Sequence, residues 1–422
     1  MSFNQVDSYN RQLRIKEIIK DRPVLIWGAR AIGCGMCRVA ERMNFNMVGF
    51  VDSDTAFKDK RILGYNVYSP NYLERFISDN KRPYIMISAS TSREAIIHKC
   101  LDMGLSKELD FCSAFDFCDF EYIIDIVGGC NLSCPSCPRG NFEPQPKGGM
   151  ISVDRFKQIV KKILDESPNV SLITLYNWGE PLLHPRLPDL IQILKDHQIF
   201  CSLSTNFNIE RSLKDIVRAK PDMLKISLSG YYQHVYELAH AKGNINLVKS
   251  NLYRLKYFID RYYPDLIVEV IYHKYKHNIG QDYVKMRQLC EELNFFFASC
   301  YAFLSPAEKI IDYVEGRFSE EDKKIADLLL VKIEDALGVA KSDSSNSCPL
   351  LEKQIVINWD GSVSLCCASF DPNKRVVKKD FLKASIPEIQ EAKLRNTLCD
   401  KCIKYGINRY YFETSQMDPV KE

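Results

Sequence analysis

No apolar run in this chain is long enough to cross a bilayer. The most hydrophobic stretch, residues 293–307, is broken by Asn294 and Pro306, where a spanning helix needs roughly 18 uninterrupted apolar residues. Charge of one sign is also missing. There are 57 Lys and Arg against 54 Asp and Glu, a net of +3, so there is no basic footprint for nucleic acid and no polybasic membrane anchor. The opening MSFNQVDSYNRQLRIK has no apolar centre and does not read as a secretory signal. Internal repeats and low-complexity tracts are absent. These absences set aside nucleic-acid and membrane partners and lead us to expect a cytoplasmic protein. With 422 residues and about 100–200 residues per domain, two to four domains are expected.

Cysteine, by contrast, is abundant: there are 16. A reducing cytosol does not keep disulfides, so cysteines in such number point to metal. Seven fall into groups: Cys130, Cys134 and Cys137; Cys348 and Cys366; Cys399 and Cys402.

The pattern along the chain is α/β. In residues 1–118 a basic helix precedes a strand at Val24–Trp27, a tight turn at Gly28–Gly33, a helix at Cys34–Arg42 and a strand at Met47–Val51. A further strand, Arg82–Ser90, leads to a helix at Arg93–Met103. Alternation of this kind builds a parallel, Rossmann-like sheet. Residues 119–304, within a domain expected over 119–345, repeat it six times, with strands expected at Tyr122–Val127, Ser171–Tyr176, Phe200–Ser204, Met223–Leu228, Leu266–Tyr272 and Phe295–Phe303. Leu187, Leu190, Ile191 and Leu194 share one helical face, as do Val248, Leu252, Leu255 and Ile259. Six strand–helix units in one sheet predict an open (β/α)6 partial TIM barrel whose working end is the C-terminal edge of its strands. A polar linker, Lys341–Ser347, then precedes a small C-terminal domain, 346–422, where Asp360-Gly361 marks a hairpin.

The three cysteines of CNLSCPSCP (Cys130–Pro138) follow the first barrel strand in C-x3-C-x2-C spacing. Three thiolates can hold three irons of a cubane cluster, leaving one iron open, and an open coordination position marks a reactive metal. A zinc or electron-transfer site is the competing reading, and it lacks a local fourth ligand. The spacing and its place after strand one resemble the radical S-adenosylmethionine (SAM) superfamily. The resemblance implies that the open iron of a [4Fe–4S] cluster chelates SAM and that one electron cleaves it to a 5′-deoxyadenosyl radical, which abstracts hydrogen from a substrate carbon. Trp178-Gly179-Glu180, followed by Pro181 at the end of strand two, looks like the family's GGE motif with Trp178 in place of its first glycine. The resemblance puts Gly179, Glu180 and Pro181 beside the SAM amino group. Ser204 and Asn206 after strand three, with Ser227 and Ser229 after strand four, fall near the SAM ribose and carboxylate; strand-end turn chemistry is the alternative for each.

In the C-terminal part, Cys348-x12-Gly361-x4-Cys366 followed by Cys399-x2-Cys402 resembles the twitch domain, the shortened form of the SPASM domain. This implies a single auxiliary [4Fe–4S] cluster on Cys348, Cys366, Cys399 and Cys402; four cysteines also suit zinc. Cys367 is left open as a substitute ligand, a hydrogen donor or a packing residue. An auxiliary cluster fits the electron released in dehydrogenation, whereas epimerisation asks for a thiol donor, for which Cys201, Cys290, Cys300 and Cys367 are candidates.

Gly28 and Gly33 match the first and third glycines of a dinucleotide fingerprint, with Arg30 at the second. GFVDSD (Gly49–Asp54) and RILGYNVYSP (Arg61–Pro70) resemble Rossmann-like domains of sugar-modifying enzymes that bind nucleotide-sugars; a domain that only supports folding is the alternative. Cys34 and Cys37 read as helix core, and His184 is not taken as catalytic. The expectation is an oxidoreductase that dehydrogenates or epimerises a sugar, nucleotide-sugar or glycan precursor, with flavodoxin or ferredoxin as electron donor. A peptide maturase and a non-catalytic iron–sulfur carrier are the alternatives.

Overall fold

The computed structural model describes residues 3–57, 60–78, 82–89, 92–342 and 348–413. Short apolar runs buried on both faces organise it. Four of the five residues of β1 (Pro23–Trp27) are buried, as are all four of β5 (Tyr84–Ile87), the pattern of a parallel sheet covered on both sides. With β2 (Asn46–Val51), β3 (Arg61–Ile62), β4 (Tyr65–Tyr68) and β6 (Phe111–Ser113) they form one sheet in the order β3-β4-β2-β1-β5-β6. All its pairs are parallel except the β3–β4 hairpin. The strand expected at Arg82–Ser90 is thus shorter, and Ser90 lies outside the described residues.

The second sheet contains the six expected barrel strands in sequence order: β7 (Glu121–Asp125), β8 (Leu172–Thr174), β9 (Phe200–Thr205), β10 (Met223–Leu228), β11 (Ile267–Lys274) and β12 (Phe296–Tyr301). Each pairs in parallel with the next. The C-terminal part does not stand apart from it. β13 (Gln354–Asn358) pairs in parallel with β7, from Gln354↔Glu121 to Asn358↔Asp125. β14 (Val363–Ser364) and β15 (Val376–Lys378) then continue the same sheet antiparallel. An uncovered β7 would be an edge of unpaired N–H and C=O groups, and the wholly buried QIVIN of β13 closes it. The expected hairpin is present: Gly361, at φ +82°, donates to Asn358 O at 2.8 Å. Most of the expected linker Lys341–Ser347, and with it the boundary at 345/346, lies outside the described residues.

The first sheet closes the N-terminal end of the barrel. Cys34, Met36 and Cys37 of helix Ala31–Arg42 share one core with Leu172, Phe200, Met223 and Ile267, the first residues of β8 to β11. A Cβ on Gly35 would sit 3.0 Å from Ser171 O, so the helix rides close on the strand. Cys34 and Cys37 are therefore core residues of this floor. Burial holds both thiols protonated, raising Cys34 well above its ordinary value. No described helix is long and apolar enough to cross a membrane.

Candidate active site

Cys130, Cys134 and Cys137 lie on the loop after β7 and line the wall of one large cavity of about 1050 Å³. The loop is pinned from several sides. Leu132 N and Asn206 Nδ2 donate to Cys130 Sγ at 3.4 and 3.5 Å. Asn141 Nδ2 donates to Pro135 O and Ser305 O, and Ser136 Oγ meets the Tyr275 hydroxyl at 2.6 Å. A Cβ on Gly140 would come within 2.4 Å of Cys134 O. Burial pushes the Cys137 thiol up to about 12 and Cys134 well above its ordinary value. Metal binding must therefore draw these protons off. Among the described residues no three His, Cys, Asp or Glu side chains are close enough to share a single metal ion; the cysteines border a space. That donor set, three thiols on one rigid loop facing an open cavity, fits a cluster held from one side.

Gly179 is fixed by close approach. A Cβ there would stand 1.6 Å from Val127 O. The loop is gathered by Asp125, which the sequence reading missed. Its buried carboxylate accepts from Asn177 N at 3.2 Å, Trp178 N at 3.4 Å and Gly179 N at 3.1 Å. Trp178, the departure from the motif, turns to the C-terminal segment. Its Nε1 donates to Ser369 O at 3.2 Å and its ring meets Phe370 edge-on at 6.0 Å. The indole thereby ties the loop to the residues just after Cys366 and Cys367.

Glu180 faces the cavity but is largely engaged by the protein. It accepts from Leu182 N at 2.9 Å, Thr205 Oγ1 at 2.7 Å and Asn206 N at 2.8 Å, which uses three of a carboxylate's roughly four acceptor positions. Burial pushes it up to about 7. It bridges the ends of β8 and β9 and keeps one acceptor position for a ligand. Pro181 corrects the expectation: it opens the single turn Pro181–Leu183, is buried, and does not line the cavity. Ser204, Asn206, Ser227 and Ser229 all line it. Asn206 Nδ2 also donates to Asn131 Oδ1 at 2.9 Å, linking the β9 end to the cysteine loop. His184 is buried, with Nε2 2.8 Å from Ile151 O, and is structural.

Below the cysteines the cavity runs down the barrel to the Gly28–Gly33 turn. Its wall carries the hydroxyls of Thr174, Tyr176, Ser202, Ser204 and Ser227, and two charges the sequence reading also missed, Glu121 and Lys225. Among the described residues Lys225 has no hydrogen bond or ion pair. The Tyr176 hydroxyl, Glu269 and Glu121 raise its pKa against the opposing effect of burial. Glu269, its partner across the ladder, is taken by Arg30 at 2.7 Å. Arg30 also holds Asp54 at 2.8 Å, so it is not a free phosphate ligand. Asp52 Oδ2 accepts from Ala29 N at 2.8 Å, placing a carboxylate where a pyrophosphate would need the turn's amides.

Cys348, Cys366, Cys399 and Cys402 surround a second, apolar cavity with Leu350, Leu351, Ala368 and Tyr411. Cys367, next to Cys366, lines the barrel cavity instead. Four thiols around one apolar space fit a four-thiolate cluster. Of the other donor candidates, Cys201 and Cys290 are buried. Cys300 pairs in register with His273, which lines the cavity.

Residues 124–268 match the model of the radical SAM superfamily. The chain is 24% identical over 260 residues to the tungsten-containing aldehyde ferredoxin oxidoreductase cofactor-modifying protein of Pyrococcus furiosus, covering 58% of this chain and 69% of that one. It is 32% identical over 134 residues to a probable GTP 3′,8-cyclase of Methanococcus maripaludis, covering 31% of this chain and 44% of the cyclase, less than half its length. Among solved structures it resembles Streptococcus suis SuiB bound to the precursor peptide SuiA, at 13% identity and a TM-score of 0.45 over 78% of each chain. Residues 124–268 thus carry a radical SAM domain, and that superfamily binds a [4Fe–4S] cluster and S-adenosylmethionine.

Proposed function

We propose that Cys130, Cys134 and Cys137 hold the cluster, that Gly179, Glu180, Asn206, Ser227 and Ser229 frame the SAM site, and that the barrel below admits a small, polyhydroxylated substrate. The bound cofactors supply a 5′-deoxyadenosyl radical. The protein's part is to orient a substrate C–H toward that radical and to exclude water. One observation carries the substrate class: the cavity continues from the three cysteines down a wall of hydroxyls to Lys225, which among the described residues makes no hydrogen bond or ion pair. Hydroxyls of that wall match those of a sugar, and Lys225 fits an anionic substituent such as a carboxylate or phosphate. This favours a sugar acid, sugar phosphate or nucleotide-sugar.

The net reaction we favour is dehydrogenation of an alcohol carbon. One hydrogen atom leaves the carbon for the radical. Loss of the hydroxyl proton to solvent and of the remaining electron leaves a carbonyl; Cys348, Cys366, Cys399 and Cys402 would hold an auxiliary cluster able to accept that electron. A flavodoxin or ferredoxin supplies the electron that starts the cycle.

The test is 5′-deoxyadenosine release by anaerobically reconstituted, dithionite-reduced protein across a panel of sugars, sugar phosphates, nucleotide-sugars and peptides. Stimulation by one anionic sugar, with deuterium passing from that sugar to 5′-deoxyadenosine, supports the reading. Stimulation by peptides alone makes the protein a peptide-modifying enzyme. No SAM cleavage in a protein shown to hold its clusters leaves an electron carrier.

A further inference from the structure

Lys393, on helix Ile386–Leu394, is fully buried. Its Nζ donates to Leu350 O at 2.9 Å, Leu351 O at 2.8 Å and Gln354 O at 2.7 Å. Three donated bonds use three N–H groups, and only the ammonium form has three. Burial draws its pKa down to about 8, still above neutral. Among the described residues no carboxylate pairs with it. The ionisable groups that act on it most strongly are the thiols of Cys366, Cys399, Cys348 and Cys367. A buried charge with no counter-charge is among the costliest arrangements in a protein interior. Lys393 stands in that position, held by carbonyl oxygens of residues that border the four-cysteine cavity.

Two of its three acceptors, Leu350 and Leu351, also line the four-cysteine cavity. Cys348 opens the short helix Pro349–Lys353 that carries them. The ammonium therefore both fixes the segment bearing one thiol and holds a positive charge behind the cavity wall.

We propose that Lys393 is the built-in counter-ion of the auxiliary cluster and raises its reduction potential, making it an electron acceptor. This rests on the reading that the four cysteines hold a [4Fe–4S] cluster. A fixed cation stabilises the more negative, reduced form of a cluster more than the oxidised form, so removing it makes reduction harder.

The test uses the full-length chain with Cys130, Cys134 and Cys137 changed to Ala, so that only the auxiliary site remains. After anaerobic reconstitution, iron and sulfide are counted and the one-electron midpoint is measured by dithionite titration with redox mediators. Lys393→Met is expected to lower the equilibrium constant for reduction at least tenfold, which is about 59 mV for one electron. Ile389→Ala, which loosens the same helix without touching charge, is expected to leave the midpoint in place. An unchanged midpoint in Lys393→Met at full iron content overturns the inference. Failure of the parent to take up iron and sulfide overturns the auxiliary-cluster reading itself. Should Lys393→Met lose its cluster, Lys393→Arg decides: retention there supports the counter-ion role, and loss in both overturns it.

Discussion

Arg38 Nη2 and Asp222 Oδ1 meet at 2.6 Å across the floor of the barrel. Arg38 comes from the helix that follows the Gly28–Gly33 turn, and Asp222 from the residue before β10. Asp222 is fully buried and also accepts from Lys195 Nζ at 3.0 Å and Cys201 N at 2.9 Å. It is thus the shared acceptor of two cations and a backbone amide. Asp222→Ala strands those donors and is expected to cost about 3–5 kcal/mol, the scale of breaking a buried pair by removing one partner. Denaturant unfolding of the variant beside the parent checks it. A loss under about 1 kcal/mol would mean that the floor is held by apolar packing alone.

Gly179→Ala places a carbon where Val127 O already stands. The loop must move, and with it the Glu180 bridge to Thr205 and Asn206. The expected result is at least a hundredfold loss of 5′-deoxyadenosine release, because displacement of about 1 Å in a positioning element is enough for that. Iron content is expected to hold, since the three cysteines sit on another loop. Parental rates in Gly179→Ala would remove this loop from SAM positioning.

Cys366 and Cys367 are neighbours in sequence that face different cavities. Their substitutions are therefore expected to separate. In the background lacking Cys130, Cys134 and Cys137, Cys366→Ala loses about four irons per chain under the auxiliary-cluster reading. Cys367→Ala keeps them. Iron analysis with absorbance near the thiolate-to-iron charge-transfer band reads both. Equal loss in the two variants would return Cys367 to the ligand set.

The sequence made the elements legible and left their meetings hidden. β10 spans the residues expected, Met223–Leu228, because a short, mainly apolar run bounded by Pro221-Asp222 and Ser229-Gly230 favours a buried strand. β13 was also legible as half of a hairpin, but its pairing with β7 was not, since the partner lies more than two hundred residues away and nothing local encodes it. The cysteine groups were visible because their chemistry depends on spacing. Asp125, Lys225 and Lys393 were invisible for the opposite reason: none belongs to a spaced motif, and the role of each comes only from what the fold brings to it. Trp178 was read as a weakened motif position. Its bond to Ser369 O gives it a task that a glycine could not perform.

Lys225 tests the substrate class most directly. Its ammonium stands on the cavity wall, with Glu269, its partner across the ladder, bound by Arg30, and Glu121 on the same wall. A substrate anion there gains a charge-assisted hydrogen bond, worth about 1.5–3 kcal/mol, or roughly ten- to more than a hundredfold in binding. Lys225→Met keeps the length and apolar stem of the side chain and removes the charge. The concentration of the stimulating sugar phosphate or nucleotide-sugar at half-maximal 5′-deoxyadenosine release is expected to rise by that factor. The corresponding uncharged sugar is expected to shift far less, because it offers Lys225 no anion to lose. Equal shifts for the charged and uncharged ligands would show that Lys225 shapes the cavity without reading charge, and the anionic part of the substrate assignment would fall.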